Sequence, residues 1–140
     1  MNQSNIRFKL RNIDILDFSF RNPEKEITQE TVFRFETRIE HFIDTTNKLI
    51  NIVSSFQIYC DELDKILGEA RISIHYQIED FEITENNNLP EQFLLMLNSI
   101  SLSTCRGVLF ALFRGTPLHS VILPVINPKN LQEVGKPTNE

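Results

Sequence analysis

Residues 89–124, LPEQFLLMLNSISLSTCRGVLFALFRGTPLHSVILP, constrain this chain more than any other stretch, because they hold its one long helical pattern. Pro90 suits a first helical position, and Glu91 puts a carboxylate in the first turn, where the helix dipole favours it. Gly115 and then Pro117 mark the end, with Arg114 in the last turn. Between these signals Phe93, Leu94, Met96, Leu97, Ile100, Val108, Leu109 and Leu112 cover far more than the usual apolar stripe. One narrow row differs. Ser99, Ser103, Gly107 and Ala111 recur at every fourth residue, so they stack on one face. Small side chains there let another backbone approach closely. That backbone belongs either to the chain's own sheet or to a second copy of the chain. A helix that is apolar nearly all round needs both faces covered.

With 140 residues the chain can build one core but not two. A net charge of -5, with the basic residues scattered, argues against nucleic acid as a partner, since phosphate binding wants Lys and Arg clustered on one face. Arg7, Lys9 and Arg11 do lie close together, but they alternate along a strand. The helical stretch approaches membrane-spanning length. Arg106 near its middle, together with Asn98 and several Ser and Thr residues, argues against insertion. The start, MNQSNIRFKL, lacks the pattern of a signal peptide. Cys60 and Cys105 have no CxxC partner and suit a reducing, cytoplasmic compartment as structural thiols.

Ahead of the helix, apolar and polar residues alternate with the period of strands. In residues 6–20, Ile6, Phe8 and Leu10 share one phase, Ile13 and Ile15 the other, and Leu16, Phe18 and Phe20 return to the first. Two phase changes predict bulges or a bend. The polar run RNPEKEITQET follows, too long for a hairpin, so the next strand need not lie beside the first. Residues 31–44 alternate Phe33, Phe35, Ile39 and Ile43 against Arg34, Glu36, Arg38 and Glu40. DTTNK is a turn, residues 48–60 form a third strand, and DELDKILGE connects it to a fourth over residues 70–83, with Gly68 as the turn residue. Short connections make these pairs antiparallel. After the long helix come an extended segment at 120–125 and a short helix through Leu131 and Val134, opened by Asn127-Pro128. Strands first and helices last is the α+β pattern. The expected fold is a four-stranded antiparallel sheet with one long and one short C-terminal helix packed on one face.

Catalytic signals are poor. His41, His75 and His119 form no HExxH and have no second ligand at fixed spacing, although His41 and His75 could meet across the sheet. Ser101, Ser103 and Cys105 lack a nucleophile elbow or a base that the sequence can place. No Gly-rich phosphate loop occurs. We therefore expect no enzyme, no catalytic residue, no metal and no cofactor. The aromatic residues say more: of 11 Phe, most must be core. Phe42, however, is out of phase with its strand, Phe20 ends a strand beside a long loop, and Phe110 sits beside Leu109 and Ala111 on an already crowded helix. Apolar groups that one small domain cannot bury point to an interface or a binding groove.

On particular residues the chain resembles the SecB family of protein-export chaperones. They are Phe18-Ser19-Phe20 followed by Pro23, and a block from Cys105 to Leu131 in which a helix ends in Arg114-Gly115-Thr116-Pro117. That block continues through Leu123-Pro124-Val125 to Asn127 and Leu131. The resemblance implies one SecB-like domain over residues 1–135 with a disordered tail at 136–140. It implies assembly as a homotetramer, a dimer of dimers, and a holdase that keeps unfolded polypeptides in apolar grooves. Carried over by position, the client-binding residues are Phe18, Phe20, Ile27, Val32, Phe33 and Phe35, with Leu131 and Val134 as the far wall. Export members deliver clients to SecA through an acidic sheet face. Here Arg34, Glu36, Arg38 and Glu40 alternate in sign, and Arg71, His75 and Gln77 dilute the acidity further. Related SecB-like proteins hold the antitoxin of a toxin–antitoxin system, an alternative client. A purely structural homo-oligomer, built through Ser99, Ser103, Gly107 and Ala111, is the reading from another class.

Overall fold

A computed structural model describes residues 6–24, 26–28, 30–60, 65–86 and 88–127. Four strands, β1 (Phe8–Phe20), β2 (Phe33–Asp44), β3 (Leu49–Cys60) and β4 (Ile66–Ile78), precede one long helix, α1 (Glu91–Phe113). They form one antiparallel sheet in the order β1-β4-β3-β2. The last three strands are a meander, while residues 21–32 carry the chain from one edge of the sheet to the other. The expected α+β architecture holds over the described residues. The short helix expected at Leu131 and Val134, and the tail after it, lie outside them.

The phase changes in β1 have a simple physical outcome. Register shifts fall between Leu10 and Asn12 and between Ile15 and Asp17, so Arg11 and Leu16 are bulge residues. Each bulge reverses the alternation just where the sequence reverses it. Phe8, Leu10, Ile13, Ile15, Phe18 and Phe20 therefore all face the same way, opposite Ile78, Tyr76, Ile74, Ile72, Ala70 and Gly68. That is the face α1 covers.

Three sequence expectations need correction. β4 starts at Ile66, so Gly68 lies within the strand rather than in a turn. A Cβ there would stand 3.0 Å from Leu118 Cδ1 and 3.5 Å from the Phe113 ring, so glycine serves close packing and not chain reversal. β4 also ends at Ile78, and the apparent phase slip to Phe81 and Ile83 belongs to the loop that follows. Pro90 is the N-cap, with ψ at 142°, and Glu91 is the first helical residue; Arg114 is the C-cap rather than part of the last turn. Gly115 supplies the expected left-handed residue, at φ 81°. The segment around residues 120–125 pairs with no strand among the described residues.

The core lies between α1 and the two central strands. Ile50, Ile52, Phe56 and Ile58 of β3 and Ile72, Ile74, Tyr76 and Ile78 of β4 are almost fully buried, as are Leu97, Leu109 and Phe113 of α1. α1 is long and apolar enough to span a membrane by length and composition. Here nine of its side chains are buried within the protein. A polar seam fixes how it sits. His41 Nε2 lies 2.7 Å from Asn98 Oδ1, and Tyr76 Oη lies 2.8 Å from Ser101 Oγ. Ser54, fully buried, makes no well-formed hydrogen bond among the described residues and interacts weakly with the Cys105 thiol.

The seam predicts opposite signs for two similar substitutions. A buried polar atom without a partner costs about 1–3 kcal/mol. Ser54→Ala should therefore be neutral or stabilising by up to about 1 kcal/mol. Ser101→Ala removes the nearer partner of the Tyr76 hydroxyl, leaving its 3.4 Å contact with Leu97 O, and should destabilise by about 1 kcal/mol. Urea unfolding midpoints of the two variants decide. Burial also pushes the Cys105 thiol up to about 12 from its ordinary 9.0. Because the folded value is the higher one, the stabilisation is complete below pH 9 and is lost as pH rises toward 12. Cys105→Ala should flatten that alkaline decline, and a decline of unchanged steepness would assign it to other groups.

Candidate functional site

The bulges keep six apolar side chains of β1 on the helix-bearing face, yet the helix does not reach most of them. α1 lies over β3 and β4. Neighbouring strands are about 4.8 Å apart, and a helix with its side chains is about 10–12 Å wide. One helix therefore covers the two central strands and leaves the inner faces of both edges partly bare. Leu10, Ile13, Ile15 and Phe20 are each more than a third exposed, although their partners on β4 are buried. Phe8 and Phe18 escape by leaning inward. Phe8 packs edge-on against Tyr76 and Phe93, and Phe18 meets Phe113 with ring centroids 5.5 Å apart.

The predicted client-binding residues gather at one end of this face. Register places Phe20, Gly68, Ile58 and Phe35 in one row across all four strands. Phe18 and Phe20 share a ring contact, 6.1 Å between centroids, at the β1 edge. Phe33 and Phe35, half-buried, lie at the β2 edge, on the same face and at the same end. Ile27, in the crossing segment, packs against the core, and Val32, just before β2, is 60% exposed. The aromatic pairs do not touch each other. β4 and β3 separate them, with Leu118 and Phe113 seated over Gly68 between. Leu131 and Val134 lie outside the described residues.

The crossing segment is tied down at its start. Arg21 N–H donates to Leu67 O (2.9 Å), and Lys65 Nζ pairs with Glu24 Oε2. After α1 the chain turns tightly: Thr116 Oγ1 donates to Phe113 O (2.7 Å) and accepts from Leu118 N–H (3.0 Å). These bonds aim Leu118 back at the sheet.

The row of small residues on α1 turns away from the sheet. Ser99, Ser103, Gly107 and Ala111 are all exposed, and a Cβ at Gly107 would meet nothing within 4 Å. Met96 and Phe110 are exposed as well, with the Arg114 guanidinium 4.8 Å over the Phe110 ring. Of the two readings of that row, contact with the chain's own sheet is excluded.

His41 and His75 lie on opposite faces of the sheet and cannot meet. His41 faces α1, whereas His75 sits on the open face with Asp14 Oδ2 at 3.3 Å and Ser73 Oγ at 3.1 Å. Both contacts use Nε2, so this Asp, His and Ser do not make a relay, which needs the two groups on different ring nitrogens. No group of three or more His, Cys, Asp or Glu that could hold a metal occurs among the described residues. The open face carries both signs, with Arg34 2.9 Å from Glu36 and stacked 4.2 Å over Tyr59, and Arg71 3.4 Å from Asp17. Phe42 projects onto that face and is half exposed, which explains its odd phase.

The sequence reading did not place Leu10, Ile13 and Ile15 at the site; it put Leu10 in one phase and Ile13 and Ile15 in the other of a strand with one buried face. Their alternation was plain, but which strand becomes an edge depends on the crossing of residues 21–32.

The sequence matches no protein-family model and no curated protein. Solved structures do resemble the fold. One is a Mycobacterium tuberculosis SecB-like chaperone in complex with a ChAD peptide from the HigA1 antitoxin. It is 13% identical, with a TM-score of 0.62, and the match covers 86% of this chain and 88% of that one. Another is a protein of unknown function from Streptococcus agalactiae, 16% identical with a TM-score of 0.45, covering 86% and 97%. The chain has a SecB-like α+β fold.

Proposed function

We propose that the protein is a SecB-like holding chaperone, which binds unfolded polypeptide through apolar side chains and performs no reaction. The observation that carries this reading is the apolar surface left bare on the helix-bearing face. Phe20 and Val32 are exposed, and Phe18, Ile27, Phe33 and Phe35 are half-buried around the same end of the sheet. Burial of apolar area is non-directional and tolerates many client sequences. Purified protein should suppress aggregation of an unfolded client at stoichiometric ratios. Phe20→Ser with Val32→Ser should abolish most of that suppression at a stability cost of about 1–2 kcal/mol, most of it from the Phe20 ring that packs on Phe18. Full suppression by the double variant would remove the site from the reading.

Within this reading an antitoxin is the better-supported client class than general export cargo. The mycobacterial structure of the same fold holds an antitoxin peptide. The mixed charge of the open face, where Arg34, Glu36, Arg38 and Glu40 alternate, does not favour docking to SecA.

The outward row on α1 favours assembly as well, and we propose a cytoplasmic homotetramer, a dimer of dimers. Gly107→Leu discriminates sharply. In an isolated chain it replaces an exposed helical glycine and should stabilise by roughly 0.5–1 kcal/mol. In an assembly closed over that row it should lower the solution mass. A stabilised protein of unchanged mass would place Gly107 away from any subunit interface.

A further inference from the structure

We propose that β2 is a self-pairing edge: two copies of this chain lay β2 antiparallel to β2 about a two-fold axis at Thr37. The pairing goes beyond the chaperone reading and does not depend on it. β2 runs through twelve residues without a register shift. Among the described residues, no backbone hydrogen bond outside its ladder with β3 involves it. Its outer row of backbone groups is therefore a regular template for one more strand. β1, the other edge, is interrupted by its bulges at Arg11 and Leu16.

The side chains select which strand fits. Along the open face β2 carries Arg34, Glu36, Arg38 and Glu40, positive and negative in turn. Read backwards, that row is its own complement. A two-fold axis normal to the sheet keeps every residue on its face, so open-face residues of the two copies meet one another. Centred on Thr37, it sets Arg34 opposite Glu40 of the partner subunit and Glu36 opposite Arg38 of the partner subunit. Symmetry repeats both pairs, so all four charges of each copy are matched. Centred on Glu36 or Arg38, the axis would bring like charges together, which destabilises a strand pair. On the helix-bearing face the Thr37 register also places Phe35 opposite Ile39 of the partner subunit, an apolar pair. Within one copy Glu36 already pairs with Arg34 at 2.9 Å, whereas Arg38 and Glu40 have no ion-pair partner among the described residues. An uncharged strand in the same place would leave those charges unmatched. A second copy answers each of them.

Sedimentation of the full chain over a range of concentrations tests the pairing. The natural protein should self-associate. Arg38→Glu sets carboxylates against each other twice in the symmetric pair and should weaken association about tenfold or more. Glu36→Arg combined with Arg38→Glu restores opposite charges in the Thr37 register and should return the dissociation constant to within about threefold of the natural value. Both sites are exposed, and circular dichroism checks that each variant keeps the native fold. Association unchanged by Arg38→Glu, as expected of copies held through α1 alone, overturns the proposal. So does a natural protein that stays monomeric, and so does a loss that the double variant fails to restore. Suppression of client aggregation, measured on the same samples, tests the chaperone reading separately.

Discussion

A single helix is too narrow for a four-stranded sheet, and most of what distinguishes this protein follows from that mismatch. Four strands about 4.8 Å apart present a face wider than one helix can cover. The cover goes to the middle, where β3 and β4 supply almost unbroken Ile, Phe and Tyr and where α1 supplies Leu97, Leu109 and Phe113. The edges supply apolar side chains too, and nothing within the described chain hides them. The covered middle and the bare edges thereby belong to the same face but to different strands. The central strands hold the fold together, and the edges remain for whatever meets them.

The polar seam under α1 follows from the same geometry. A helix resting on a flat apolar surface could slide or roll with little change in buried area, because apolar contact has no preferred direction. His41 with Asn98 ties it toward β2, and Tyr76 with Ser101 ties it to β4. Pairs at two points and to two strands fix both its position and its rotation. That fixed rotation turns Ser99, Ser103, Gly107 and Ala111 outward and keeps Phe113 over Gly68.

Much of this was legible in the residues, and the parts that were not share a cause. Strand number, the bulges of β1, the turn at residues 45–48 and the limits of α1 to within a residue all rest on local signals: alternation, glycine and proline. Gly68 misled because glycine marks both turns and close approaches, and only Leu118, fifty residues on, tells which. Leu10, Ile13 and Ile15 misled because alternation records which face a residue takes, not whether that face is covered. The sequence reading grouped Phe18, Phe20, Phe33 and Phe35, and they lie on one face and at one end of the sheet. It could not foresee that two strands would stand between the pairs, since the order β1-β4-β3-β2 is a property of the crossing rather than of any strand.

The two sheet edges answer the hazard of open strands differently. An edge offers unpaired backbone groups to any extended chain, and bulges and charges discourage such pairing. β1 has both, with bulges at Arg11 and Leu16 and with Lys9, Asp14 and Asp17 on its open face. β2 pairs with β3 without a single register shift over twelve residues. Its protection rests on alternating Arg34, Glu36, Arg38 and Glu40, which face away from α1 and leave the backbone itself regular. Side-chain docking suits the irregular β1 edge, where Ile13 and Ile15 stand out between the bulges. Backbone pairing suits only β2. The Phe20–Phe35 row thus has apolar side chains at both ends but a strand-like template at one of them, so the two edges are not equivalent.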